Sequence, residues 1–204
     1  AGAFSNSGAV TITSPGAALA GIDASSLSTS LINNSTGTIS ISGGGLYGIK
    51  TSKDFTNNGT ISISGTSGEI FLGSGNLMNN GTFKGNGTID GNDFFSGSGS
   101  RIAPGTSTGI LSFVNTATQD LSDTYFDIEI NGTTPGTEYD RITISNNVDI
   151  SNAVLNLIEG AYSPETSDVF TIIEVAPGGI ITGTFNGLLE GGTVIFNGEV
   201  LYIS

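Results

Sequence analysis

One phrase recurs along the first half of the chain and limits its fold more than any other feature. A leading apolar residue is followed by Asn, then Gly, then a segment that alternates Thr with Ile or Val. The copies read Phe4-Ser-Asn6-Ser-Gly8-Ala-Val10, Leu31-Ile-Asn33-Asn34-Ser-Thr-Gly37-Thr-Ile39, Phe55-Thr-Asn57-Asn58-Gly59-Thr-Ile61 and Leu77-Met-Asn79-Asn80-Gly81-Thr-Phe83. A degraded copy is Phe95-Ser-Gly97-Ser-Gly99-Ser-Arg101-Ile102, and the steps between leading residues are 27, 24, 22 and 18. A period in this range is the mark of a repeat architecture, and its drift fits coils whose corners vary in length.

Each part of the phrase has a physical reading. The Asn-Gly pair is expected to supply a positive φ at a tight corner. Thr38-Ile39-Ser40-Ile41-Ser42 and Thr60-Ile61-Ser62-Ile63-Ser64 alternate with period two, as half-buried strands do. Ile39, Ile61 and Phe83 are thus expected to point inward, with Val10, Ile12, Ile41, Ile63 and Ile89. Ala20-Gly-Ile22-Asp23, Tyr47-Gly-Ile49-Lys50 and Phe71-Leu-Gly73 suggest a second strand on another face of each coil. No single coil could bury its own apolar residues; only neighbours above and below close the core. Asn-Gly beside an alternating run is also a hairpin signal. Here only one apolar residue precedes each Asn, which favours the solenoid. The expected fold is all-β, a right-handed parallel β-helix (β-solenoid) with a C-terminal β-rich capping region. Residues 1–103 are read as repeat coils and residues 104–204 as C-terminal coils and cap.

Composition removes whole classes of chemistry. The chain has no His and no Cys, so a Ser-His triad, a Cys nucleophile, a zinc finger, a thiolate metal site and a disulfide framework are all excluded. Of 18 acidic residues only five lie in residues 1–102, beside four of the five bases, so residues 103–204 carry a net charge of −12. Such a surface repels nucleic acid and anionic membranes. No apolar run approaches the ~18 residues of a membrane span. The opening Ala1-Gly2-Ala3-Phe4-Ser5 does not read as a signal peptide, and the chain is expected to be a piece of a longer one.

From residue 103 the strands lengthen. Pro104 to Gly109, Gly132 to Gly136, Tyr139-Asp140, Leu155 to Leu157, Ser167 to Ile172 and Thr182 to Phe185 follow one another in order. This series resembles the C-terminal passenger region of bacterial autotransporter-type proteins and related large repeat surface adhesins. The Asn-Gly-Thr-Ile phrase is also that family's habit. The resemblance implies a right-handed parallel β-helix exported to the bacterial cell surface or secreted. Its partners would be a host or neighbouring-cell surface, a glycan or a matrix.

Several constellations invite a functional reading. Asn6, Asn34, Asn58 and Asn80 are expected to stack as an amide ladder at the corners, with Gly37, Gly59 and Gly81 beside them. The rival is glycan attachment, since Asn34, Asn58, Asn80, Asn86 and Asn131 sit in Asn-x-Ser/Thr triplets. Thr11-Thr13, Thr38-Ser40 and Thr60-Ser62 could form a hydroxyl face for carbohydrate or ice, or simply the wet side of a strand. Asp120, Asp123, Asp127 and Glu129 are candidate Ca²⁺ ligands, against a solvated acidic face. Divalent cations bridging neighbouring molecules would use the same charge. Asp90 and Asp93, with Lys84 and Arg101, are the one grouping suited to a polysaccharide-active enzyme. Tyr139-Asp140-Arg141 reads as a turn carboxylate beside its own Arg. The reading these observations favour is a non-catalytic structural and adhesive segment, extracellular, without cofactor.

Overall fold

A computed structural model describes residues 3–14, 20–43, 46–64, 69–115 and 117–204; the opening Ala1-Gly2 lies outside them. Among the described residues every regular element is a strand. The first coil comprises β1 (Phe4–Asn6), β2 (Ala9–Ser14) and β3 (Ala20–Asp23). The second is β4 (Leu31–Asn33), β5 (Thr38–Gly43) and β6 (Tyr47–Lys50). The third is β7 (Phe55–Asn57), β8 (Thr60–Ser64) and β9 (Glu69–Phe71), and the fourth β10 (Leu77–Asn79), β11 (Thr82–Gly85) and β12 (Gly87–Gly91). Then come β13 (Phe94–Ser96), β14 (Arg101–Pro104) and β15 (Ile110–Asn115), followed by β16 (Gln119–Asp120), β17 (Tyr125–Ile130) and β18 (Arg141–Ile144). The seventh coil is β19 (Val148–Asp149), β20 (Val154–Glu159) and β21 (Ile173–Val175), after which β22 (Ile181–Thr182) begins another turn. An antiparallel hairpin, β23 (Thr193–Phe196) with β24 (Glu199–Tyr202), ends the chain.

Every third strand pairs with the next in parallel, which produces three sheets along the axis: A from β1 to β22, B from β2 to β20 and C from β3 to β21. This is the parallel β-helix expected from the sequence. The ladder of sheet B runs through residue 103 without a break, because β14 pairs with both β11 and β17.

The register explains how the repeat builds a core. On sheet B, Ile39 sits against Ile61 and Ile61 against Phe83, all fully shielded. On sheet A, Leu31, Phe55, Leu77 and Phe94 stack in one column. On sheet C, Ile49, Ile70, Ile89 and Phe113 do the same. Phe94 bridges the columns, with its ring 6.5 Å from Phe83 and 4.6 Å from Phe113. Each such side chain contributes roughly 1.5–3 kcal/mol when fully buried. The steric need for neighbours, not local propensity, holds the coils in phase.

Four sequence expectations change in detail. Each coil has three strands, because the few residues before each corner form a strand of their own: Leu31 and Asn33 point in while Ile32 points out. Ile89 is inward, but on sheet C. In the degraded copy Phe94, not Phe95, takes the column, since it pairs with Leu77. Finally, none of Gly8, Gly37, Gly59 and Gly81 has a positive φ. Three of them are needed for close approach instead. A Cβ on Gly59 would stand 2.1 Å from the Gly37 carbonyl oxygen, and one on Gly81 would stand 2.1 Å from that of Gly59. A Cβ on Gly37 would stand 2.2 Å from Asn33 Oδ1.

At the lower end the residues after β22 fold beneath the last coil. Phe185 packs edge-on against Phe126, and Phe196 is fully buried. The closure is loose. Among the described residues, one cleft of about 320 Å³ is lined by Leu155, Leu157, Phe170 and Ile172, and another of similar size by Ile150, Ile173 and Phe185.

Candidate functional site

The corner between sheets A and B carries a column of polar side chains inside an otherwise apolar core. Asn6 Nδ2 donates to Asn33 Oδ1 at 2.8 Å, Asn33 Nδ2 to Asn57 Oδ1 at 2.8 Å, and Asn57 Nδ2 to Asn79 Oδ1 at 2.7 Å. The second amide protons reach backbone carbonyls, such as Asn33 to Gly37 and Asn57 to Thr82. The ladder is therefore real, but except at Asn6 it uses the Asn one residue before each one the sequence reading chose. Strand alternation decides this: Leu31 and Asn33 share the inward face, and Asn34 falls on the corner. Asn34 donates to Ser5 and Ser7 at 2.9 Å, and Asn80 donates to Asn58 at 2.9 Å, both on the surface. Below Asn79 the register places Ser96. The next coils use Ser100 and Thr124, with hydroxyls 3.3 Å apart.

The outer face of sheet B is a hydroxyl lattice in its upper coils. Thr38, Thr60 and Thr82 form one column, Thr11, Ser40 and Ser62 a second, and Thr13, Ser42 and Ser64 a third. Coil spacing sets the rows ~4.8 Å apart and the pleat sets the columns ~6.8 Å apart. Among the described residues these hydroxyls make one internal bond, from Ser64 to the Ile41 carbonyl at 3.4 Å. Charge begins with Lys84 and Arg101 on the coils beneath. Arg101 makes a bidentate pair with Asp127, both bonds 2.9 Å, and stacks 5.0 Å from the Tyr125 ring.

That pairing disperses the enzyme-like grouping. Arg101 and Lys84 belong to sheet B, whereas Asp90 belongs to sheet C and Asp93 to the corner beyond it. Asp90 instead neighbours Glu69 of the coil above. Burial raises the pKa of Glu69, and the Asp90 charge raises it further; burial also raises that of Asp90. The candidate calcium ligands are likewise apart. Asp120 lies on sheet A and caps its own turn through Ser122, Asp123 accepts from Asn152, and Asp127 is held by Arg101 and Asn156. Glu129 shares β17 with Asp127. Among the described residues no three His, Cys, Asp or Glu side chains converge as a metal site.

One residue acts differently from its sequence reading. Asp140 is not paired with Arg141, whose guanidinium reaches Glu174 and the Tyr139 hydroxyl, each at 2.7 Å. Asp140 is 1% exposed and accepts the Gly109 amide at 2.7 Å and the Glu129 amide at 2.8 Å. Burial pushes its pKa up to about 7, against the pull of those two amides; the Glu129 charge adds to the rise. A Tyr-Asp beside a strand carries no spacing that announces this role.

The chain matches no protein-family model, no curated protein and no solved structure. No helix among the described residues is long and apolar enough to cross a membrane.

Proposed function

We propose that this chain is a non-catalytic structural and adhesive segment of a bacterial cell-surface or secreted protein. Its work is to hold a rigid, uncharged outer face away from whatever carries it. The observation that carries this reading is the unbroken interior: inward columns continue from coil to coil, and the catalytic candidates are scattered over different sheets. Seven coils at ~4.8 Å make a short rod of ~30 Å. The acidic lower half keeps such rods soluble and apart.

The hydroxyl lattice favours one more specific reading, attachment to a carbohydrate surface through sheet B. Immobilised chain is probed on a glycan array and on polysaccharide-coated beads, beside a Ser40→Lys/Ser62→Lys variant. Retention that the variant loses supports adhesion through this face, and thermal hysteresis would redirect the reading to ice. Release of reducing ends from a polysaccharide, abolished by Asp90→Ala, would overturn the non-catalytic assignment.

A further inference from the structure

The acids of the upper rod keep to one side of it. Asp23, Asp54, Glu69, Asp90 and Asp93 lie on sheet C or on the corner that follows it. Strands β5, β8, β11 and β14 of sheet B hold no acid and two bases, Lys84 and Arg101. Thr82 is the register partner of Arg101, and Lys84 that of Ala103, so the two cations are diagonal neighbours on adjacent coils. Strand spacing and pleat set their Cα atoms ~8 Å apart, a separation that long side chains span.

The two cations are held differently. Arg101 is fixed from two sides: Asp127 accepts from Nε and Nη2, both at 2.9 Å, and the Tyr125 ring lies 5.0 Å from the guanidinium carbon. Asn156 in turn donates to Asp127 at 2.8 Å. Nη1 is left without a partner among the described residues, on a side chain that is 41% exposed. Lys84 makes neither a hydrogen bond nor an ion pair among the described residues. Ala103, next to Lys84 in its column, carries only a methyl, so no long side chain separates Lys84 from the guanidinium.

We propose that Lys84 and Arg101 form an anion subsite at the lower border of the hydroxyl lattice, selecting a polysaccharide in which uronate rings alternate with neutral ones. The proposal rests on the reading of sheet B as a carbohydrate-attachment face and adds to it the class of polymer. A carboxylate between Lys84 Nζ and Arg101 Nη1 receives charge-assisted hydrogen bonds, which are stronger than neutral ones. Asp127 and Tyr125 already orient the guanidinium, so little side-chain freedom is lost on binding. The neutral rings meet Thr82, Thr60 and Ser62, whose hydroxyls both donate to and accept from sugar hydroxyls.

Charge density decides the polymer. Above Lys84 the field is uncharged, since β5 and β8 hold neither acid nor base. Below, Asp127 offsets Arg101, and Glu129 lies on the same strand as Asp127. A polymer charged on every ring sets surplus anions against hydroxyls on one side. On the other it brings them toward Asp127 and Glu129, within a Debye length of ~8 Å. One carboxylate on alternate rings is served by one subsite.

The test is binding of the intact chain to three immobilised polymers at low and high salt. They are hyaluronate, in which uronate and N-acetylhexosamine alternate; the same polymer with its carboxyl groups reduced to alcohols; and densely sulfated heparin. Hyaluronate is expected to bind about three- to fivefold more tightly than its reduced form, the worth of an exposed ion pair. Lys84→Gln and high salt should both abolish that difference, and Lys84→Arg should keep it. Lys53→Gln removes the same charge from the corner after β6 and should keep it too, with circular dichroism and unfolding midpoint unchanged in all three variants. Equal binding of hyaluronate and its reduced form overturns the anion subsite and leaves carbohydrate attachment standing. Tighter binding of heparin, or equal losses in Lys53→Gln and Lys84→Gln, assigns the effect to overall charge and overturns it as well. If none of the three polymers is retained, the subsite is overturned and attachment through sheet B loses its support with it.

Discussion

Replacing Asn57 by Ala removes the middle rung of the buried amide ladder, and its cost follows from the bonds. Asn57 accepts from Asn33 at 2.8 Å, donates to Asn79 at 2.7 Å and donates to the Thr82 carbonyl at 3.2 Å. Asn33 keeps backbone partners after the change, but Asn79 Oδ1 loses its donor in a site with no solvent access. A net hydrogen bond is worth about 1 kcal/mol and a stranded buried acceptor about 1–3 kcal/mol. The expected loss is therefore about 3 kcal/mol, equal to about 6–12 °C in midpoint for a chain of this size. Asn58→Ala, one residue along, deletes only the surface bond from Asn80 and should cost under about 1 kcal/mol. Thermal and urea unfolding followed by far-ultraviolet circular dichroism compare the two. Equal losses, or a larger loss at Asn58, would refute the assignment of the ladder to the inward Asn of each pair.

Two glycines of the same phrase should behave oppositely. Gly59→Ala drives a methyl into the Gly37 and Asn34 carbonyl oxygens at 2.1 and 2.4 Å, so unfolding should come at least about 2 kcal/mol sooner. Gly8→Ala meets open space and should be neutral, or stabilising by up to about 1 kcal/mol, in the same melt. Stability should also fall as pH rises. Asp140 has a folded pKa of about 7 against an ordinary 3.8, so the folded chain keeps a proton that the unfolded chain has released. The advantage is complete below pH ~4 and is lost by pH ~7, at most about 4 kcal/mol, with Glu69 and Asp90 adding in the same direction. Midpoints across that window should decline, and Asp140→Asn should flatten the decline; an unchanged slope in the variant would assign it elsewhere.

The stacking of coils was legible because it depends on period-two alternation and on a phrase that returns. Ile39, Ile61 and Phe83 could be placed one above another from spacing alone. The short strands of sheet A were not legible as strands. Three residues such as Leu31-Ile32-Asn33 give one alternation only, and Asn is a poor strand former. The same shortness hid which Asn faces inward, since a one-residue shift reverses every side chain. The glycines were misassigned for a different reason. A positive φ is a local property that Asn-Gly suggests, whereas the close approach of Gly59 to Gly37 exists only once two coils have met. The pairing of Arg101 with Asp127 is equally invisible along the chain, because it joins residues 26 apart.

The drift of the repeat has a structural home. Along the upper coils the corner from sheet A to sheet B is short and held by the amide ladder. The corner from B to C narrows to one residue between β11 and β12, where the repeat is shortest, and then lengthens to the spans separating β17 from β18 and β20 from β21. Long corners need their own anchors, since loop backbone must find partners for its polar groups. Between Ile130 and Arg141 the chain folds back on itself, with Glu138 receiving the Thr133 and Thr134 amides, and Asp140 then ties the end of this excursion to Gly109 above and to Glu129 beside it. Asp140 thus does for the B–C corner what Asn33, Asn57 and Asn79 do for the A–B corner: a buried side chain satisfies backbone groups that the sheets leave over, carbonyls at the A–B corner and amides at the B–C corner. An amide performs that task at any pH. A carboxylate with its pKa near 7 does not, so the lower corner is the one whose anchoring changes with acidity while the upper ladder stays constant.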